Sequence, residues 1–127
     1  MLNKSGRFGA LAALALTAAC GGGDAGKVVT VYSPHGREML EAFEKQFEAA
    51  HAGVDLQWVD MGSQEVFDRI RSERANPQAD VWWGAPAPLF EQAAGDSLLE
   101  RFVPTWAGAL PAEAKSPQGL WHGNYLT

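Results

Sequence analysis

Three short segments carry the residue types that could hold a small ligand: Ser33-Pro34-His35-Gly36, Asp60-Met61-Gly62-Ser63 and Gly84-Ala85-Pro86. They offer hydroxyls, an imidazole and backbone N–H groups, but no row of carboxylates or tyrosines. The candidate ligand-binding residues are Ser33, His35, Gly36, Gly62, Ser63, Gly84 and Ala85. Such a set suits an anion, which accepts hydrogen bonds and is favoured at the positive end of a helix. Each residue also has a plainer role. Ser33 before Pro34, and Ser63 with Glu65 two residues on, read as helix N-caps. A capping hydroxyl does not exclude a ligand. His35 can bind a metal, pair with an anion or stand in solvent. A metal needs several ligands, and none clusters near His35 in sequence, so no metal site is expected. Asp60 can receive an ammonium group or solvate the end of a strand, and solvation is the simpler reading.

No catalytic constellation accompanies these loops. Ser33 and His35 lie two residues apart without a third group to orient them. There is no phosphate-loop lysine motif, and Cys20 is the only cysteine. An enzyme is not expected, nor is a cofactor.

The elements that must position the loops follow from periodicity. Lys27 to Tyr32 is β-branched and aromatic, a strand signal. Arg37 to His51 reads as a helix whose apolar stripe is Leu40, Phe43, Phe47 and Ala50, with Phe43 and Phe47 facing inward. Val54 to Val59 is a second strand, and Gln64 to Arg74 a second helix with Val66, Phe67 and Ile70 inward. Asp80 to Trp83 is a short third strand, and Leu89 to Ala94 a short helix. Trp82 and Trp83 are adjacent on that strand and should point to opposite faces. Both are read as packing between sheet and helices, with one of them able to line the cleft. Trp58, Trp106 and Trp121 are read as core or interlobe packing. Strands alternating with helices imply βαβ units, a parallel-type sheet flanked by helices, and an α/β fold. From Phe102 to Gly119 the chain carries Pro104, Pro111 and Pro117 and should be irregular, while Trp121 to Thr127 can begin another strand.

The first nineteen residues read as a processing segment. Lys4 and Arg7 make a basic start, Phe8 to Ala19 is apolar, and Ala18-Ala19 precede Cys20. The apolar run is shorter than the roughly 20 residues that a membrane span needs, and its flanks fit a secretory signal. Leu16-Thr17-Ala18-Ala19-Cys20 resembles a bacterial lipobox, with Thr17 where Leu is commonest. The resemblance implies cleavage before Cys20, acylation of its thiol and a lipid anchor in the membrane. Residues 20–26, rich in glycine, would then be the lipidated tether, and 27–127 the folded part. That places the folded part in the periplasm or on the extracellular face.

Composition limits the partners. The formal net charge of the 127 residues is -5, and removing a leader that holds Lys4 and Arg7 makes the rest more acidic. Nucleic acid rewards clustered Lys and Arg and is not expected. About a hundred residues can bury only a modest core.

From Val28 to Thr127 the chain resembles the extracytoplasmic solute-binding proteins of ABC importers, in the branch that includes ferric-ion-binding proteins. The likeness rests on Val29-Thr30-Val31-Tyr32-Ser33, Phe43-Glu44-Lys45-Gln46-Phe47-Glu48, Gly62-Ser63 and Ala79-Asp80-Val81-Trp82-Trp83, in that order, together with the leader. It covers the first half of a family member. The resemblance implies a periplasmic-binding-protein-like N-terminal lobe, truncated, with the second lobe absent. It also implies capture of a small solute for delivery to an ABC permease. The first expectation is an anion such as an organic phosphate. Ferric ion is the alternative, and a one-lobe structural or sensory lipoprotein is another. The ferric branch has a His in its first loop, but alignment on Tyr32 puts His35 one position early. It has a Glu in the third loop, where Ala85 stands here, and tyrosine ligands in the other lobe.

Overall fold

The computed structural model describes residues 26–123. The leader, Cys20, most of the tether and the last four residues therefore lie outside the described residues. Strand β1 (Lys27–Ser33) leads into helix α1 (Arg37–Ala50), strand β2 (Val54–Asp60), helix α2 (Ser63–Ser72), strand β3 (Val81–Trp82) and helix α3 (Ala87–Gly95). Two 3-10 turns, Ala107–Ala109 and Ala112–Ala114, follow. The sheet has the order β2-β1-β3 and every pairing is parallel, as the alternation of strands and helices requires.

This order dictates where the helices go. The chain steps from β1 to β2 on one side and then back across β1 to β3. Right-handed crossovers in opposite directions place their helices on opposite faces of the sheet. The tryptophan pair confirms it. Trp83 meets Phe43 of α1 at 4.9 Å, whereas Trp82 meets Phe67 of α2 at 6.5 Å and Phe90 of α3 at 4.4 Å. Trp82 ends β3 and Trp83 follows directly after it, and the two serve opposite faces as expected.

The face beneath α2 and α3 is closed. Val66, Phe67 and Ala93 are fully buried there. Tyr32 is also buried, and its phenol needs a polar partner. It donates to the Glu73 carboxylate, 3.1 Å and 3.0 Å from the two oxygens, just past the end of α2. Arg69 Nε donates to the same carboxylate at 2.8 Å, and its guanidinium lies 4.8 Å from the Tyr32 ring centre. Burial and the neighbouring carboxylate push the Tyr32 phenol up from its ordinary value. Burial works to raise Glu73 as well, but hydrogen bonds from Arg69 and Tyr32 outweigh it and hold the carboxyl below its ordinary value.

The face beneath α1 is only half covered, and here the expected stripe needs correction. Leu40 is buried, but Phe43 is 47% exposed and Phe47 38%. Phe43 lays one edge on Trp83, and Phe47 turns to His51 at 4.4 Å. The reason is the count of layers. Two helices share the opposite face, while among the described residues α1 packs against β2 with no second helix beside it. A stripe that spans more than one row of contacts then has nothing to bury its outer part.

Smaller differences have local causes. Asp80 is not a strand residue. Its backbone N–H donates to Thr30 O and its carboxylate accepts from Thr30 N, both at 2.9 Å, so a side chain extends the β1–β3 ladder below Val81. The stretch from Phe102 to Gly119 is irregular, as its prolines suggested, and Lys115 Nζ ties its turns together by donating to Ala107 O and Leu110 O. Trp106 is 52% exposed, not core. Near the end, His122 forms a single antiparallel bridge with Lys115, so residues 121–123 do not form the strand expected there.

Candidate functional site

The three loops singled out by residue type all leave the carboxyl ends of the strands. In an open α/β sheet, ligands bind where the winding reverses, and here that point lies between β1 and β3. Loop one follows β1, loop three follows β3, and loop two follows β2 beside them. Met61 N donates to Ser33 O at 3.1 Å and Trp83 N to Tyr32 O at 2.9 Å, so loops two and three are both tied to the end of β1.

Ser33 ends β1 and is completely buried. It does not cap α1. The helix begins four residues later behind Gly36, with no side-chain cap, because Ser33 is still in extended strand and Pro34 and His35 intervene. The Ser33 hydroxyl instead accepts from His35 N at 3.2 Å and shapes the loop. Ser63 does not cap α2 either. It is the first helical residue, and Gly62 takes the cap position in extended backbone (φ -58°, ψ 151°) without a side-chain hydrogen bond. Helix α3 starts behind Pro86, again with no side-chain cap. Three helices therefore begin at one end of the sheet with no side-chain cap among the described residues, α3 offering the fewest N–H groups because Pro88 has none and Leu89 N donates to Pro86 O. The macrodipoles of α1, α2 and α3 point their positive ends the same way. Glu38 and Glu65 sit in the first turns of α1 and α2 and balance part of that charge.

The structure brings together Ser33, His35 and Gly84, with Gly36, Gly62, Ser63 and Ala85 on the adjoining turns. His35 lies 4.8 Å from the Trp83 ring and against Gly84, rather than standing in solvent. Trp58 joins the same cluster 5.5 Å from Trp83, and its buried indole N–H has no acceptor among the described residues. Asp60 stands level with Ser33 in the strand register and is exposed. Among the described residues, no group of three or more His, Cys, Asp or Glu side chains is placed to hold a metal ion. Two open grooves are also present. One is lined by Arg71, Arg74, Gln92 and Ser97 near the carboxyl ends of α2 and α3. The other starts beside the loops at Arg37 and Asp60 and runs down between α1 and β2, an outer strand of the sheet among the described residues.

Sequence reasoning missed the role of Trp83 as the platform that links β2, α1 and loop one, because which face a tryptophan serves depends on the crossover geometry. It also missed that Gly84 adopts a positive φ of 95°. A glycine between a strand and Ala85-Pro86 was the available signal.

No family model matches the chain. Individual proteins do. A probable ABC transporter periplasmic-binding protein of Sinorhizobium fredii is 35% identical over 99 residues, 78% of this chain and 27% of that protein. A putative 2-aminoethylphosphonate-binding periplasmic protein of Salmonella typhimurium is 36% identical over 104 residues, 79% of this chain and 30% of that one. Among solved structures, the periplasmic binding protein AfuA of Actinobacillus pleuropneumoniae, with fructose-6-phosphate bound, superposes with a TM-score of 0.66 at 28% identity, covering 77% of this chain and 30% of AfuA. A Trichodesmium protein in complex with iron and citrate superposes with a TM-score of 0.67 at 25% identity, covering 76% and 30%. The chain thus spans about 30% of the length of the relatives it matches. Over that share of their length it is similar to the periplasmic solute-binding proteins of ABC transporters and matches one lobe of their fold.

Proposed function

We propose that this chain supplies one wall of the binding site in the extracytoplasmic receptor of an ABC importer, and that the solute is a small organic phosphonate or phosphate. The observation that carries this reading is the convergence of three helix starts without side-chain caps at the carboxyl ends of the strands. Their first-turn N–H groups, with the Ser63 hydroxyl at the start of α2, are what a tetrahedral anion needs. The naming of a 36% identical relative for 2-aminoethylphosphonate and the fructose-6-phosphate bound to AfuA support the same chemistry. Ferric ion is the second reading, favoured by the iron in the Trichodesmium neighbour. It is weaker because His35 and Asp60 are the only two metal-type side chains of these loops, and His35 is engaged with Trp83 and Gly84. Delivery to a permease, and anchoring through an acylated Cys20 at the end of a cleaved leader, complete the proposal.

Calorimetry on the complete two-lobe receptor tests the solute, with 2-aminoethylphosphonate, fructose-6-phosphate and ferric citrate as titrants. The proposal expects one of the phosphorus compounds to bind at micromolar or lower concentration, and Ser63→Ala to weaken it. Binding of ferric citrate alone would overturn it in favour of iron. The anchor is tested apart: Cys20→Ser should release the protein from the membrane fraction or leave it unprocessed, and retention of a correctly cleaved, unlipidated protein would defeat it.

A further inference from the structure

We propose that His35 and Gly84 form a steric lock that sets the gap between loop one and loop three, so that His35 is a positioning residue of the solute site rather than a ligand. The placement of that site rests on the reading above; the lock itself does not. Both ends of the contact are held. The backbone of His35 is pinned by its N–H donating to Ser33 Oγ at 3.2 Å, and Ser33 is fully buried. The imidazole is held by the Trp83 ring, with centroids 4.8 Å apart and planes tilted by 60°. On the other side, the Gly84 carbonyl accepts from Trp82 Nε1 at 3.1 Å, and Trp82 is fixed from the opposite face by Phe90 and Phe67. Gly84 is therefore clamped through its carbonyl from one face of the sheet and faced by the imidazole on the other.

Nothing but hydrogen fits between them. A β-carbon on Gly84 would run into the His35 ring, nearest Nε2, with Cδ2 at 2.9 Å and Cε1 at 3.1 Å. Trp83 backs the ring on one side and blocks its retreat in that direction. A side chain at position 84 would push loop one away from loop three at the point where the winding of the sheet reverses. The start of α1 behind Gly36 and the start of α3 behind Pro86 would move apart. N–H groups that converge on one anion lose affinity when their spacing grows by a fraction of an ångström. The lock thus acts on binding through geometry, with no need for the imidazole to touch the solute.

A double-mutant cycle on the intact protein tests this, with wild type, His35→Ala, Gly84→Ala and the double variant. Three quantities are read: affinity for 2-aminoethylphosphonate, melting temperature, and tryptophan emission, with Trp83→Phe assigning the emission change. The positive φ of Gly84 strains an alanine equally in both backgrounds, so that part cancels. Gly84→Ala alone should weaken binding about tenfold or more, while in the His35→Ala background the same change should cost much less. Melting temperatures should show the same non-additivity, and emission assigned to Trp83 should shift in His35→Ala. Additive effects on melting, or an emission unchanged by His35→Ala, would overturn the lock. If Gly84→Ala does not fold, a folded double variant supports the lock, and failure of both would place the demand in the backbone alone and overturn it. A wild type that ignores 2-aminoethylphosphonate would count against the proposed solute, while melting and emission would still decide the lock.

Discussion

The two faces of the sheet are built from similar sequence and reach different degrees of closure. Under α2 and α3, Phe67 is 0% exposed; under α1, Phe43 remains 47% exposed, although both phenylalanines sit on the apolar stripe of an amphipathic helix. The difference lies in neighbours. Phe67 is enclosed by Trp82, by the Arg71 guanidinium 4.4 Å from its ring centre, and by the helix pair α2 and α3. Phe43 has Trp83 on one side. An apolar stripe states what a helix is able to bury, and the number of elements laid beside it decides how much is buried.

The sharpest way to break this comparison is to truncate both rings. Phe67→Ala should cost roughly 3–5 kcal/mol, the usual range for a fully buried aromatic. In a domain whose total stability is on the order of 5 kcal/mol, that leaves little folded protein at room temperature. Phe43→Ala should cost about 1 kcal/mol, since nearly half of it is already in water. Equal melting temperatures for the two variants would show that the faces are equally closed.

Tyr32→Phe probes the polar part of the closed face. It keeps the ring and removes the hydroxyl that donates to Glu73, with an expected loss of about 1 kcal/mol by denaturant titration. The pH dependence has two limbs. Glu73 is held below its ordinary value of 4.5 when folded, so its contribution is present above that pH and is lost as pH falls through the lower folded value. Tyr32 is raised above 10.0 when folded, so its contribution is present below pH 10.0 and fades as pH rises past it. In Tyr32→Phe the alkaline limb should disappear and the acid limb should shrink. An alkaline limb unchanged by the substitution would assign it to another group.

The weakest interaction expected is at the site itself, when one lobe stands alone. Residues 21–127 alone should bind 2-aminoethylphosphonate no better than millimolar, about 4 kcal/mol. Loops open to water on one side hold an anion in a high dielectric, where attraction is weak. Micromolar binding by this segment would mean that a single lobe completes the site.

Much of this was legible from residue order. β-Branched runs at Lys27–Tyr32 and Val54–Val59, helical spacing in Arg37–His51 and Gln64–Arg74, and the breaks between them placed these strands and helices within a few residues. The alternation of strand and helix implied parallel pairing, and so put the three loops at one end of the sheet. These are local properties, or follow from the handedness of the chain, and a sequence carries them directly. The tertiary structure alone decided the rest. Ser33 has a capping residue's chemistry but is used as a strand end and a turn former, because the helix starts only after Gly36. Phe43 and Phe47 have a core residue's chemistry but stay half in water, because one helix lies on that face. His35 has a ligand's chemistry but is engaged by Trp83 and Gly84, residues some fifty positions away in the chain. Each depends on what the folded chain brings from a distance, and no spacing along the sequence records that.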